Sequence, residues 1–455
     1  MGNEPDTERA DRIVPEPAGG LATEMDASLG RVRAPVFVPD DEPYDTERAG
    51  FQTARQHRPD VIVGATVAAD VRAAVRFAGA NGLPVAVQGT GHALLAVAAE
   101  GGMLITTRRM RGVRVNPDAR TAWVEAGVRW EQVIRKAVPY GLAPLSGSAP
   151  HVGAVSYTLG GGLGLLSRRY GYAADHVRRI DVVTADATLR HVTAASYPDL
   201  FWALRGGRDN FGVVTGLEID LFPVDRLYGG GLFFEAELVA DVLDAYLQWT
   251  TTVPEELTSS VALIPFPDMP AVPEPLRGRY VAHVRIAYTG DTAAGEQLVA
   301  PLRAVGPRLI DTLKEMPYEA SGSIYNDPIQ PHAYSADHVM LDGIDASAVR
   351  TMLEMAGPDA PVPCIVQLRH LGGALARPPV TPNAVGHRDA TYLLVVLSPL
   401  NRFDLSAVRT VHQRLTEALE PWAVGRCLNY MYGEKPTPEQ VRTAYEPDDH
   451  RRLTE

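Results

Sequence analysis

Three glycine clusters stand out as the places where this chain's backbone can approach a ligand. They are Gln88-Gly89-Thr90-Gly91-His92, the run from Gly153 through Gly160-Gly161-Gly162-Leu163-Gly164, and Arg205-Gly206-Gly207 through Gly212. Glycine lets successive N–H groups point at phosphate oxygens, which holds an anionic cofactor without many cations. Any one cluster alone is better read as a tight turn, but three in one chain favour a dinucleotide. A nicotinamide fingerprint needs G-x-G-x-x-G between a strand and a helix, with an acid about 20 residues on that closes a strand. Here Gly162-Leu163-Gly164-Leu165-Leu166-Ser167 is only a variant, and Asp181 opens its strand. No constellation of metal ligands is evident.

The elements that must carry these clusters form a mixed pattern. Val61-Ile62-Val63, a helix with Val67, Val71, Val75 and Ala78 capped by Thr66, an Asn81-Gly82 turn and Pro84 to Val87 predict a β-α-β unit. Val113 and Val115, a turn at Asn116-Pro117-Asp118 and Thr121 to Ala126 predict a hairpin. Further strands are expected at Ile180 to Thr184 and Val213 to Leu221. Beyond residue 223 the texture becomes alternating strands (Leu232–Glu235, Tyr280–Ala287, Ile365–Leu368, Tyr392–Leu397) and amphipathic helices (Val239–Trp249, Ala294–Leu302, Ser406–Leu419). The class is α+β: a disordered leader over 1–32, a first domain over 33–222, a second α+β domain with an antiparallel sheet over 223–410, and a C-terminal segment over 411–455 returning to the first domain.

Composition narrows the function classes. The chain has 455 residues, 45% apolar and 22% charged, as in a globular protein of two or three domains. No apolar run approaches the roughly 20 residues of a membrane helix. The N-terminus lacks an apolar signal core, so a cytoplasmic location is expected. A formal charge of −12 without basic runs argues against nucleic acid or an anionic membrane as partner and leaves a small molecule. Cys364 and Cys427 lie in apolar contexts that suggest buried thiols.

The order of motifs over residues 33–455 resembles the berberine bridge enzyme-like group of the vanillyl-alcohol oxidase flavoproteins. The carriers are Pro84 to His92, Val152-Gly153, Thr158 to Gly164, Tyr170-Gly171 with Asp175, Val182 to Asp186, Asp199 to Gly207, Gly372-Gly373-Ala374, His387-Arg388 and Asn429-Tyr430. The resemblance implies a two-part PCMH-type FAD-binding domain, with the second domain roofing the substrate pocket. It implies FAD held by Gln88, Gly89, Thr90, Gly91, His92 and Ala93, by Val152, Gly153, Gly160, Gly161, Gly162 and Gly164, and by Asp175, Gly212, Val214 and Asn429. His92 would bond the flavin 8α-methyl carbon. Relatives with a second, cysteinyl bond carry G-x-C-P where this chain reads Gly147-Ser148-Ala149-Pro150, so a single bond is expected.

The same resemblance places Val152 beside the flavin, where a small residue goes with access of O2. It makes Tyr430 the base for a substrate proton and puts Arg369, His370 and His387 at the substrate pocket. Departures from the family pattern are Gln88, Thr90, Ala187 and Asp209. The implied activity is oxidation of an alcohol of a secondary metabolite or sugar-like compound, with O2 as acceptor. Oxidation of an amine or hydroquinone, or sequestration of a drug-like molecule, are the alternatives. Tyr445 to Glu455 resembles the stretch before the family's closing segment, so a weakly anchored tail is expected from about Pro436.

Overall fold

The computed structural model describes residues 34–93, 99–208, 210–401, 403–432 and 436–455; the expected leader and Asp209 lie outside them. Three sheets organise the chain. The first contains β1 (Val36–Phe37), β2 (Val61–Gly64), β3 (Val85–Gln88) and β4 (Met103–Thr106), in the order β1-β2-β4-β3. β2 and β3 do not pair directly, as a simple β-α-β unit would have them. β4 lies between them and runs parallel to both, which buries Met103, Leu104 and Ile105 completely. The intervening helix is Ala68–Ala80. Its start is fixed by Asp70, whose carboxylate accepts from the Thr66 and Val67 N–H groups at 2.8 and 3.1 Å, so the expected Thr66 cap is replaced by an acid reaching back.

The second sheet is antiparallel. β5 (Val113–Asn116) and β6 (Thr121–Glu125) form the expected hairpin, followed by β7 (Val177–Val183), β8 (Leu189–Val192) and β9 (Val213–Asp220), in the order β5-β6-β9-β7-β8. Helices Trp130–Ala137 and Ala154–Leu159 cover one face and bury Trp130, Ile134 and Leu159.

The third sheet has nine strands: β10 (Arg226–Glu235), β11 (Leu257–Pro265), β12 (Tyr280–Tyr288), β13 (Ile310–Asp311), β14 (Lys314–Pro317), β15 (Tyr334–Leu341), β16 (Ile365–His370), β17 (Tyr392–Pro399) and β18 (Ala423–Gly425). All its pairings are antiparallel, including those between strands far apart in sequence such as β11 and β16. Alternation divides its side chains. Val261, Val284, Leu368, Leu394 and Val339 pack against helices Val239–Thr250, Ala346–Ala356 and Leu405–Ala418. The opposite face carries Met340, Leu393 and Val395, which meet Leu163 and Tyr172 of the glycine-rich segment. That face therefore looks onto the first half of the chain.

The C-terminal residues are docked, contrary to the expected loose tail. Helix Pro447–Thr454 sets Arg452 4.0 Å over the Trp202 ring and 2.6 Å from Asp199, and Tyr445 is buried. The arginine over the indole, with Leu453 packed against the Trp202 cluster, seats the helix locally.

Several histidines are locked in as neutral hydrogen-bonding groups. His57 Nδ1 accepts from the Ala99 N–H, His338 Nε2 accepts from the Cys427 N–H, and His412 shares a hydrogen bond with Ser398 Oγ. Burial pushes His57 and His412 down to about 4 and His338 to about 3, from an ordinary 6.5. As pH falls, the unfolded chain therefore takes up these protons first. The stability they contribute is complete above about pH 6.5 and is lost as pH falls toward the folded values, at up to about 1.4 kcal/mol per pH unit for each histidine. Urea denaturation should show a clearly lower midpoint at pH 5 than at pH 7. Equal midpoints would show that these imidazoles are not held neutral by the fold.

Candidate active site

His92 stands at the end of the β3 loop in an aromatic sandwich. Its ring stacks on Phe51 at 4.2 Å and 11°, with His151 5.2 Å away on a tilt. Thr90 Oγ1 shares a 2.8 Å hydrogen bond with His92 Nδ1 and accepts a longer one, 3.3 Å, from the Gly153 N–H. The Tyr334 hydroxyl donates to the His92 carbonyl at 2.7 Å. His92 Nε2 is buried and finds no hydrogen-bond partner among the described residues. A buried polar atom left so is costly unless something else meets it. Burial, followed by the charges of His151 and Arg129, pushes the imidazole down to about 3. The ring is neutral and keeps a lone pair, as a nucleophile must.

The loop that carries it is tied down from both sides. Gln88, at the end of β3, donates to the Arg48 and Ala49 carbonyls, while its Oε1 lacks a partner among the described residues. A side chain at Gly91 would strike Gly50 at 2.5 Å, so glycine is required there by the neighbouring loop. Ala93 is half-buried just beyond. Beside this loop opens a cavity of about 640 Å³, bordered by Gly89, Thr90, Gly127 and His151 and by Arg108, Arg111, Arg129 and Arg135, with Glu131 as the acid. In a chain of net charge −12 this is a local basic enclosure, suited to an anion. These arginines are scattered over 28 positions without a run, so the sequence pattern points only to backbone N–H groups as partners of an anion.

The second glycine cluster is explained first by packing against protein. A Cβ at Gly160 would lie 2.0 Å from Asn429 Oδ1, one at Gly164 would lie 2.0 Å from the Ser146 carbonyl, and one at Gly162 would meet Ala173 and Tyr157. Gly161, at φ 107°, faces Val385 and Tyr172. Asn429 donates to the Tyr157 carbonyl at 2.8 Å, so the end of the chain is seated directly on this run. Gly153 caps helix Ala154–Leu159; Val152 and Val214 pack in the adjoining core. Gly212, at φ 138°, passes within 2.6 Å (as a Cβ would) of the Val183 carbonyl.

Tyr430 follows Asn429 and lies under the third sheet. The Arg369 guanidinium is 5.4 Å from its ring, with Tyr432 at 6.0 Å and His338 at 6.2 Å. Burial raises the phenol above its ordinary value and Arg369 opposes that rise, so the hydroxyl rests protonated. Tyr157 Oη is buried and unpartnered among the described residues, and it feels the field of Tyr430.

Three expected site residues sit elsewhere. Asp175 is held by Arg388 at 2.7 Å and Asn383 at 2.7 Å, a buried tie between two chain segments and not a ligand pointed at a cavity. His370 follows Arg369 in β16 and so turns to the other face, 5.8 Å from Tyr392 in the helix-side core, where burial pushes it down to about 3. His387 shares a 2.9 Å hydrogen bond with the Thr443 carbonyl, and its N–H donates to Glu446. Its ring anchors the C-terminal segment.

Comparison with known proteins agrees with this arrangement. Residues 59–193 match the FAD binding domain family. The chain shares its fold with a berberine bridge enzyme-like protein of Physcomitrella patens (TM-score 0.80, 19% identity, 94% of both chains). Among solved structures it is similar to a xylooligosaccharide oxidase from Myceliophthora thermophila (TM-score 0.82, 19% identity, 94% of both chains). It is likewise similar to 6-hydroxy-D-nicotine oxidase from Arthrobacter nicotinovorans (TM-score 0.78, 22% identity, 93% of this chain and 94% of that one). In sequence it is 26% identical to the FAD-linked oxidoreductase YgaK of Bacillus subtilis over 78% of each chain. It is 28% identical to (R)-6-hydroxynicotine oxidase of Paenarthrobacter nicotinovorans over 63% of this chain and 62% of that protein.

No helix among the described residues is long and apolar enough to cross a membrane.

Proposed function

We propose that the protein is an oxidase that removes a hydride from an alcohol carbon of a small metabolite, using FAD attached through His92 alone. The observation that carries this reading is the seating of Asn429 on Gly160, which brings Tyr430 from the chain's end to Arg369 and Tyr157. Gly89, Thr90 and the arginines of the basic cavity would hold the diphosphate. The neutral, buried His92 supplies the attachment point, and Ala149 offers no sulfur for a second bond. When bound, FAD supplies a two-electron acceptor for the substrate hydride and passes the electrons to O2, giving hydrogen peroxide.

The chain's own part is to orient the substrate and move one proton. To act as base, Tyr430 first releases its hydroxyl proton to solvent; the Arg369 guanidinium lowers the cost of the resulting phenolate, whose Oη then takes the proton of the substrate hydroxyl as the hydride leaves. The neighbouring arginines disfavour a cationic amine as substrate.

Anaerobic addition of candidate alcohols should bleach the flavin absorbance, and admission of air should restore it with peroxide formed. Val152 is half-buried against the core of the second sheet. Val152→Leu should therefore slow reoxidation by air at least several-fold and leave anaerobic reduction unchanged. Slow reoxidation in the unmodified protein would instead mark a dehydrogenase with another acceptor.

A further inference from the structure

The face of the third sheet that looks toward Tyr430 carries two arginines in one row. Ser260 of β11 stands opposite Arg285 of β12 on one side and Arg369 of β16 on the other, so the three side chains share a face. Alternation sends their neighbours Val261, Val284 and Leu368 into the helix-side core. Both guanidinium groups lie against the same ring: Arg285 at 4.6 Å and Arg369 at 5.0 Å from Tyr325, whose hydroxyl is hydrogen-bonded to Ser260 Oγ at 3.0 Å.

These charges are poorly compensated. Arg285 is 7% exposed; its Nε donates to His283 Nδ1 at 3.1 Å, and Arg369 Nε donates to Gln367 Oε1 at 3.3 Å. Among the described residues no acceptor meets the Nη groups of either, and neither forms an ion pair. Asp327 is the carboxylate whose field both feel, and it already accepts from Ser148 Oγ at 2.7 Å. Two like charges on one ring, one of them deeply buried, cost free energy unless an anion lies between them. Guanidinium forks match the two oxygens of a carboxylate. Tyr325 and Tyr430 add flat aromatic surface beside them.

We propose that the substrate is a small organic acid whose carboxylate is held by Arg285 and Arg369, with its oxidisable carbon on the Tyr430 side. The proposal rests on the reading of the Tyr430 pocket as the place of oxidation. The test is calorimetric titration of the flavin-loaded protein with benzoate and with its neutral isostere benzamide. Benzoate should bind at least about 10-fold more tightly than benzamide. Arg285→Gln should weaken benzoate by roughly 10- to 100-fold, as loss of a charged hydrogen bond does, with little change for benzamide and an unchanged flavin spectrum. Arg285→Lys should recover part of the loss.

Equal binding of the two probes, absence of benzoate binding, or an unaltered benzoate affinity in folded Arg285→Gln would overturn the proposal. Should Arg285→Gln fail to fold, the comparison of benzoate with benzamide on the unmodified protein decides alone. Charge-selective binding without flavin reduction by any acid tried would count against the oxidase reading and leave the anion site standing.

Discussion

Tyr430→Phe is expected to slow anaerobic reduction of the flavin by substrate by roughly 10²- to 10⁴-fold, the span of a lost proton-transfer group. The substitution removes one hydroxyl and keeps the ring that Arg369 and Tyr432 pack against, so the fold and the seat of Asn429 should persist. The split between constants identifies the role. A residue that only fills space would leave the limiting rate intact and alter substrate affinity. A proton acceptor lowers the limiting rate with a small change in affinity. Rapid-mixing spectrophotometry separates the two, and a rate within about threefold of the unmodified protein would return Tyr430 to a packing role.

His92→Ala should convert the flavin from a bound substituent into an extractable ligand. Acid precipitation of the unmodified protein should give a yellow pellet, and precipitation of the variant a colourless pellet with all flavin in the supernatant. The physical case is the state of the ring. Burial and the nearby positive groups keep the imidazole unprotonated far below neutral pH, and Phe51 and His151 fix its plane. An alanine supplies neither a nucleophile nor the stack. A yellow pellet from the variant would assign the bond to another side chain.

Much of the architecture could be read from local pattern. The helix Val239–Thr250 and strands β12, β16 and β17 fall within a few residues of their expected bounds, because apolar periodicity and flanking turns are local properties. The insertion of β4 between β2 and β3 was not legible, since pairing order is decided by contacts distant in sequence. The site shows the same division. His92 and the Asn429-Tyr430 pair were identifiable from the motifs, whereas Phe51, His151 and Tyr325 approach from loops with no pattern of their own. Arg369 and His370 were expected to share one pocket, yet adjacent residues of a strand point to opposite faces, a signal present in the sequence. The glycines at 160 and 164 looked like ligand contacts, but the atoms that exclude a side chain there belong to Asn429 and Ser146.

Mass spectrometry of the proteolytic peptide that spans His92 reads out the proposed flavin attachment itself. This peptide should be heavier by one covalently bound flavin nucleotide, fragmentation should place the addition on His92, and His92→Ala should abolish it. An unmodified His92 peptide from fully flavin-loaded protein would contradict this attachment.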